Sequence, residues 1–376
     1  MWTKTWRFAS LVLAAMAAIA CDASWMGDTD GVDGGGGGGK ADDAGSSSVP
    51  WAVSRHAWPP RIGHPETSES LLEEDLDLIA SLGARYVRTD LWWYVIEPQM
   101  GAFNQPALDF YRRLVDKAAA RGLGTIVILS NAPQWAKDVY GRDRGQFYQH
   151  FRSYAAMVAQ TVGDQVTYYQ LWNEPNHVSD FVDGDGDVQL FISGREGIRE
   201  GLALIGEEDR AIETAINLLV DGHDGAFSWM NDVAYYMDKG AADAVDIIAI
   251  DHYPGTWSIG DWGGNILDRL FGLGETYGKA VAVFETGYAT ASCLPPFFNS
   301  EGGQAAWVRQ QLPRLRGKLA DPAVTRGVPF ALVNWFRLDD RDSGDCVDPE
   351  DNFGVVHTDR SPKQAFSALR GEIAKF

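Results

Sequence analysis

Two glutamates stand in short segments suited to hold them, Trp-Asn-Glu-Pro-Asn at 172–176 and Phe-Glu-Thr-Gly-Tyr at 284–288. Each segment follows a run that reads as a buried strand, Val166–Leu171 and Ala280–Phe284. A carboxylate at the end of a buried strand, facing a mouth lined with aromatics, is unfavourable unless chemistry uses it. Two such carboxylates are what cleavage of a glycosidic bond requires. One protonates the leaving oxygen and the other attacks the sugar carbon.

The elements that must position them alternate in type along the chain. Strands are expected at 51–57, 84–89, 124–129, 166–171, 211–217, 245–250, 280–284 and 329–334. Helices are expected after them at 67–82, 107–121, 147–161, 188–205, 227–239, 267–277, 305–319 (interrupted by Pro313) and 362–374. The evidence is apolar period, capping residues and closing glycines. The third, sixth and eighth strands are continuous apolar runs, as expected of strands covered on both faces. Eight strand–helix units over about 330 residues fit a single closed (β/α)8 TIM barrel of the α/β class. An open doubly wound sheet lacks support, because no Gly-x-Gly-x-x-Gly follows the first strand.

In such a barrel the active site lies at the C-terminal ends of the strands. There stand Arg88, Asp90, Trp92 and Trp93 after the second strand, and Asn131, Pro133 and Trp135 after the third. Trp172, Asn173, Glu174 and Asn176 follow the fourth; Asp251, His252 and Tyr253 follow the sixth. Glu285 and Tyr288 follow the seventh, Trp335 and Arg337 the eighth. The opposite strand ends carry nothing comparable. Asn173-Glu174-Pro175 and Glu285 resemble glycoside hydrolase clan A, the retaining superfamily of (β/α)8 barrels with catalytic residues on strands four and seven. Residues 93–103, 131–136 and 353–365 resemble the corresponding loops of families 5, 39 and 42.

That resemblance implies roles. Glu174 is the acid/base and Glu285 the nucleophile. Asn173 binds the sugar 2-hydroxyl, Tyr253 orients Glu285, and Arg88 adds positive charge beside it. Trp335 is the aromatic platform under the sugar, since a pyranose presents C–H groups suited to an aromatic face. Trp93, Asn131, Trp135 and His252 complete the expected substrate-binding set, while Asp90 and Asp251 read as supporting the reacting groups or structural rather than catalytic. The implied activity is hydrolysis of β-glycosidic bonds in a poly- or oligosaccharide, by double displacement and with no cofactor. A catalytically silent carbohydrate-binding barrel and a transglycosylase are the competing readings.

The remaining features concern setting. Lys and Arg total 32 against 52 for Asp and Glu, giving a formal charge of −20. Such a surface repels nucleic acid and anionic lipid, and leaves a neutral polysaccharide as a partner. Lys4 and Arg7 precede an apolar stretch, Phe8–Ala20, ending at Cys21, which resembles a bacterial lipoprotein signal. Residues 1–20 therefore read as a signal peptide and Cys21 as an acylated membrane anchor. The Gly/Asp/Ser-rich segment 21–49 reads as a flexible tether, and 50–376 as the folded domain. The product is an exported cell-envelope lipoprotein or a secreted protein. Cys293 and Cys346, in neighbouring loops, are expected to pair. Asp183, Asp185 and Asp187 have the spacing of a calcium loop, but Val188 and Gly194 stand where an EF-hand needs Gly and Glu, so Asp-Gly turns fit better.

Overall fold

The computed structural model describes residues 49–59, 67–177, 188–220, 228–258, 260–291, 299–341 and 346–376. Eight parallel strands close a barrel in sequence order: β1 (Trp51–Ser54), β2 (Tyr86–Asp90), β3 (Gly124–Leu129), β4 (Val166–Leu171), β5 (Glu213–Leu219), β6 (Ile247–Asp251), β7 (Ala280–Thr286) and β8 (Phe330–Trp335). The connecting helices form an outer layer: α1 (Glu69–Ser81), α2 (Trp93–Ile96), α3 (Gln105–Ala120), α4 (Gln134–Tyr140), α5 (Arg144–Val162), α6 (Val188–Leu204), α7 (Ser228–Asp238), α8 (Ile266–Tyr277), α9 (Glu301–Leu319), α10 (Pro322–Thr325) and α11 (Gln364–Ile373). The short helices α2, α4 and α10 are additions to the expected pattern. Pro313 does not interrupt α9, which buries Trp307, Val308 and Leu312 on one side of the proline and Leu315 beyond it. Packing along that face holds the helix together where local propensity alone breaks it.

Side chains alternate across each strand, so every second residue enters the barrel. Ala52, Ile126, Tyr168, Ala215, Ala249, Ala282, Phe284 and Leu332 belong to one buried apolar cluster. The next positions along the chain, two residues on, include Ser54, Arg88, Gln170, Asn217, Asp251 and Asn334, all buried. An apolar plug thus carries a polar layer, and that layer forms the floor of the C-terminal mouth. Most of the remaining core lies between the strands and the helices.

Helices α5 and α6 pack closely along their length. Glycines on α6 allow it: a Cβ at Gly197 would stand 2.2 Å from the Arg152 carbonyl oxygen, and one at Gly201 would stand 2.2 Å from that of Ala156. Because α6 follows β4, this contact also supports the strand that carries Glu174. Gly201→Ala forces the helices apart and is expected to destabilise the barrel by about 1–3 kcal/mol. Thermal unfolding followed by circular dichroism checks this; a melting temperature unchanged from the parent would contradict the tight contact.

Candidate active site

Glu174 and Glu285 do not reach the mouth by simple alternation. On β4, Gln170 points inward and Trp172 packs outward against Phe151, with ring centroids 5.7 Å apart. Strict alternation would then send Asn173 and Glu174 to opposite sides. The backbone resolves this with two left-handed residues, Trp172 at φ 72° and Glu174 at φ 43°. Such conformations cost roughly 1–3 kcal/mol each for non-glycine residues and persist where surrounding contacts impose them. Asn217 Oδ1 accepts from the Glu174 backbone N–H at 3.3 Å. Asn176 ties the same segment to β5, donating to the Leu219 carbonyl and accepting from its N–H, both at 3.0 Å.

On β7 the device is a bulge. Ile250 pairs with Val283 but Asp251 pairs with Glu285, so Phe284 is an extra residue on that strand. Phe284 fills the apolar plug, and the shift turns Glu285 toward the polar layer as well.

There Arg88 meets it. The buried guanidinium places Nη1 2.7 Å from Glu285 Oε1 and 3.2 Å from Ser54 Oγ. Its Nε and Nη2 donate to Gln170 Oε1 at 2.9 and 2.7 Å, and Nη2 reaches Asn173 Oδ1 at 3.3 Å. The Tyr253 hydroxyl donates a short hydrogen bond to Glu285 Oε2. Burial and the facing Glu285 push the Tyr253 phenol well above its usual range, so it remains a donor. Asn173 Oδ1 also accepts from Gln170 Nε2 at 2.9 Å and Asn217 Nδ2 at 3.3 Å. With its oxygen so engaged, Asn173 has its amide N–H2 available for a ligand.

Glu174 has the opposite environment. Burial, then the nearby Glu285 carboxylate, hold its carboxyl well above the ordinary range, opposed by a hydrogen bond with Asp251 and the charge of Arg88. One oxygen each from Glu174, Asp251 and Glu285 lies within 4.8 Å of the others. Three carboxyls in this space have the chemistry of a cation site, but the Arg88 guanidinium already supplies positive charge against Glu285. The arrangement offers a proton donor and a counter-ion-stabilised carboxylate facing one small volume.

The expectations for three tryptophans need correction. Trp335 is fully buried and packs on Trp307 of α9 at 5.9 Å, between barrel and helices. The inward-facing Asn334 precedes it, so alternation turns Trp335 outward. The aromatic beside the site is its neighbour Phe336, 5.9 Å from Tyr253 and 5.6 Å from His56. Trp93 is likewise buried, within the α2–α5 layer, stacked on Tyr154 at 5.2 Å and bonded to Glu97 Oε2 at 2.8 Å. Trp135, partly buried, donates to the Glu97 carbonyl at 3.0 Å and packs on Trp93. Both tryptophans clamp the loop after β2 rather than line the mouth. Asn131 is exposed at the end of β3, with φ 62° and its amide bonded to Ser130. His252 is buried edge-on against Trp262 at 4.9 Å, and its backbone N–H donates to the Glu285 carbonyl at 2.9 Å. It braces the bulge.

Sequence reasoning overlooked Gln170 and Asn217, which link Arg88, Asn173 and Asp251. Their signal was a polar residue inside an apolar strand. It also read Asp251 as supporting the reacting groups or structural rather than catalytic. His56, paired with Asp90 by a short hydrogen bond, went unremarked too. Cys293, Asp183, Asp185 and Asp187 lie outside the described residues.

The sequence pattern of Glycosyl hydrolase family 1 matches residues 68–188, a stretch containing Glu174 but not Glu285. A beta-glucosidase from Agrobacterium sp. is 37% identical over 106 residues, 27% of this chain and 23% of that protein. The human cytosolic beta-glucosidase is 30% identical over 148 residues, 37% of this chain and 32% of that protein. The chain thus spans less than a third of these relatives. Solved structures with the same fold include a family 39 glycoside hydrolase from Bacteroides cellulosilyticus WH2. Its TM-score is 0.60 at 20% identity, covering 87% of this chain and 64% of that one. A hyperthermophilic beta-glucosidase from Pyrococcus furiosus gives 0.60 at 14% identity, covering 88% and 95%. The likeness to glycoside hydrolase clan A holds in sequence over residues 68–188 and in fold over the barrel.

The raised Glu174 carboxyl has a consequence for stability. Its protonated form is favoured by the fold, so the native state is unpenalised well below the ordinary value of 4.5. As pH rises past that value the unfolded chain ionises freely while the native carboxyl resists, and stability is lost until the native group titrates. Glu174→Gln removes this dependence. The variant is expected to melt above the parent at neutral and alkaline pH, with the difference vanishing in acid. A melting-temperature series against pH checks it; a constant difference would contradict the raised carboxyl.

Proposed function

We propose that the protein is a retaining β-glycosidase acting on a poly- or oligosaccharide, with Glu174 as acid/base and Glu285 as nucleophile. The observation that carries this reading is the convergence of the two carboxyls from the ends of β4 and β7, with one oxygen of each within 4.8 Å of the other. Retaining enzymes hold their carboxyl groups about 5–5.5 Å apart, and the approach of these two oxygens is compatible with that spacing. The β-glucosidases among the partial relatives support the same reaction class.

In the first step Glu174 donates its proton to the glycosidic oxygen, and the Glu285 carboxylate attacks the anomeric carbon. The bond to the leaving group breaks and an alcohol departs, leaving a glycosyl ester on Glu285. In the second step Glu174 takes a proton from water, whose oxygen displaces Glu285 with a second inversion. Arg88 and Tyr253 hold charge and orientation on Glu285 throughout. Asn173 is placed to bind the 2-hydroxyl. Phe336 is the aromatic surface for the sugar ring, with His56 and Asp90 beside it to bind hydroxyls. Trp58 and Trp92, with rings 4.2 Å apart, extend an aromatic rim on the β1–β2 side.

Removing the nucleophile and the acid should have separable effects. Glu285→Ala is expected to abolish turnover on a panel of aryl β-glycosides. Glu174→Ala should lose roughly 10²–10⁴-fold on poor leaving groups, with much less loss on activated ones. Proton NMR of the first product should show the β-anomer. Full hydrolysis by Glu285→Ala would remove the nucleophile assignment, and an inactive parent would favour a carbohydrate-binding barrel.

Export and anchoring belong to the same proposal. The basic start, the apolar stretch 8–20 and Cys21 support a lipoprotein signal, followed by a tether that lets the barrel reach polymer outside the cell. We assign Cys293 and Cys346 as a disulfide pair, as fits an exported protein in an oxidising compartment. Peptide mass mapping of unreduced protein checks both. The expected products are an acylated peptide beginning at Cys21 and a 293–346 cross-link. An unmodified Cys21, or a free thiol at 293, removes the corresponding assignment.

A further inference from the structure

Asp251 is a buried ionisable group at the mouth that the reaction above does not use. It ends β6 between the two glutamates, and its side chain is fully buried. Oδ2 accepts a short hydrogen bond from Asn217 Nδ2. Oδ1 is also buried but receives no donor among the described residues. A buried carboxylate oxygen with no donor is strongly disfavoured, whereas a carboxylic acid O–H at the same place needs only an acceptor. The Glu174 carboxyl stands beside it, with one oxygen of each group within 4.8 Å of the other.

We propose that Asp251 is a positioning residue for the acid/base: a neutral carboxylic acid, anchored by Asn217, that donates a hydrogen bond from Oδ1 to Glu174. The proposal rests on the glycosidase reading for its catalytic consequence, but not for its geometry. Charge balance favours the neutral form. The groups facing Asp251 are Arg88 on β2, Glu174 on β4, Tyr253 on its own segment and Glu285 on β7. Glu350 also acts on Glu174. One guanidinium can offset one carboxylate, and Glu285 already pairs with it at 2.7 Å. Burial first, then Glu285 and Glu174, push the Asp251 carboxyl well above the ordinary range, and Arg88 and Asn217 only partly oppose this. When Glu174 gives its proton to the leaving oxygen, the carboxylate so formed stays bonded to the Asp251 O–H. No proton crosses from Asp251. It fixes the rotamer of Glu174 and steadies its anionic form in both steps.

The test uses the full chain with D251N and D251A. In D251N the amide oxygen accepts from Asn217 and the N–H2 still donates to Glu174. In D251A the donor is gone. The expected result is that D251A lowers kcat/KM about tenfold or more for phenyl β-glycosides and less than about threefold for dinitrophenyl ones. D251N should recover most of the loss and keep the alkaline limb of the pH profile in place. Equal losses on both substrate classes, or an alkaline limb that moves down in D251N, would overturn the proposal. The second outcome would mean that Asp251 works as an anion. Infrared spectra of the protonated carboxyl C=O region at neutral pH give an activity-independent readout. The parent should carry a band that D251N removes and a second band, lost in E174Q, that D251A displaces. Absence of the Asp251 band overturns the proposal in any case. A parent that hydrolyses nothing on the panel overturns the glycosidase reading alone, and the infrared bands still decide Asp251.

Discussion

Three carboxyls crowd around one guanidinium at the top of the barrel, and the arrangement of the site follows from that imbalance. Arg88 is fully buried and points all its nitrogens at partners supplied by β1, β4 and β7. A buried guanidinium without such partners would be unsupportable. Glu285 takes its charge directly, so Glu174 and Asp251 are left with burial and like charge, both of which favour the protonated form. Two glutamates at the ends of two strands meet different surroundings: Glu285 pairs with the cation, while Glu174 is buried among carboxyls.

The polar layer works because the barrel beneath it is dry. Small and apolar residues close the interior below, so Arg88, Gln170, Asn217 and Asp251 satisfy one another rather than water. Asn217 is the hinge of this network. It accepts from Gln170 and from the Glu174 backbone, and donates to Asp251 and Asn173. The strained turn at 172–174 is thus held from three sides: by the α5 layer behind Trp172, by Asn217 beneath Glu174, and by Asn176 bonded to β5.

Much of this was legible beforehand. The eight strands appear where apolar runs and glycine stops placed them, within a few residues, because both signals are local. Arg88, Asn173, Tyr253 and the two glutamates were legible because such residues directly after buried strands have few structural uses. The errors share one cause. Trp335, Trp93 and Trp135 lie at or beyond strand ends, but being near the mouth along the chain does not say which face a side chain takes. Trp335 follows an inward asparagine and therefore points away, leaving Phe336 beside the site.

The sequence by itself determined the barrel and pointed to the two carboxyls proposed to react, since periodicity and residue type are properties of short segments. It could not determine how those carboxyls turn inward. That depended on a bulge in β7 and on left-handed residues at 172 and 174, which are imposed by pairing and packing with neighbours distant in the chain. The same holds for Asp251. A carboxyl is acid, base or brace according to which charges stand within a few ångströms, and only the closed barrel brings Arg88, Glu174 and Glu285 that near.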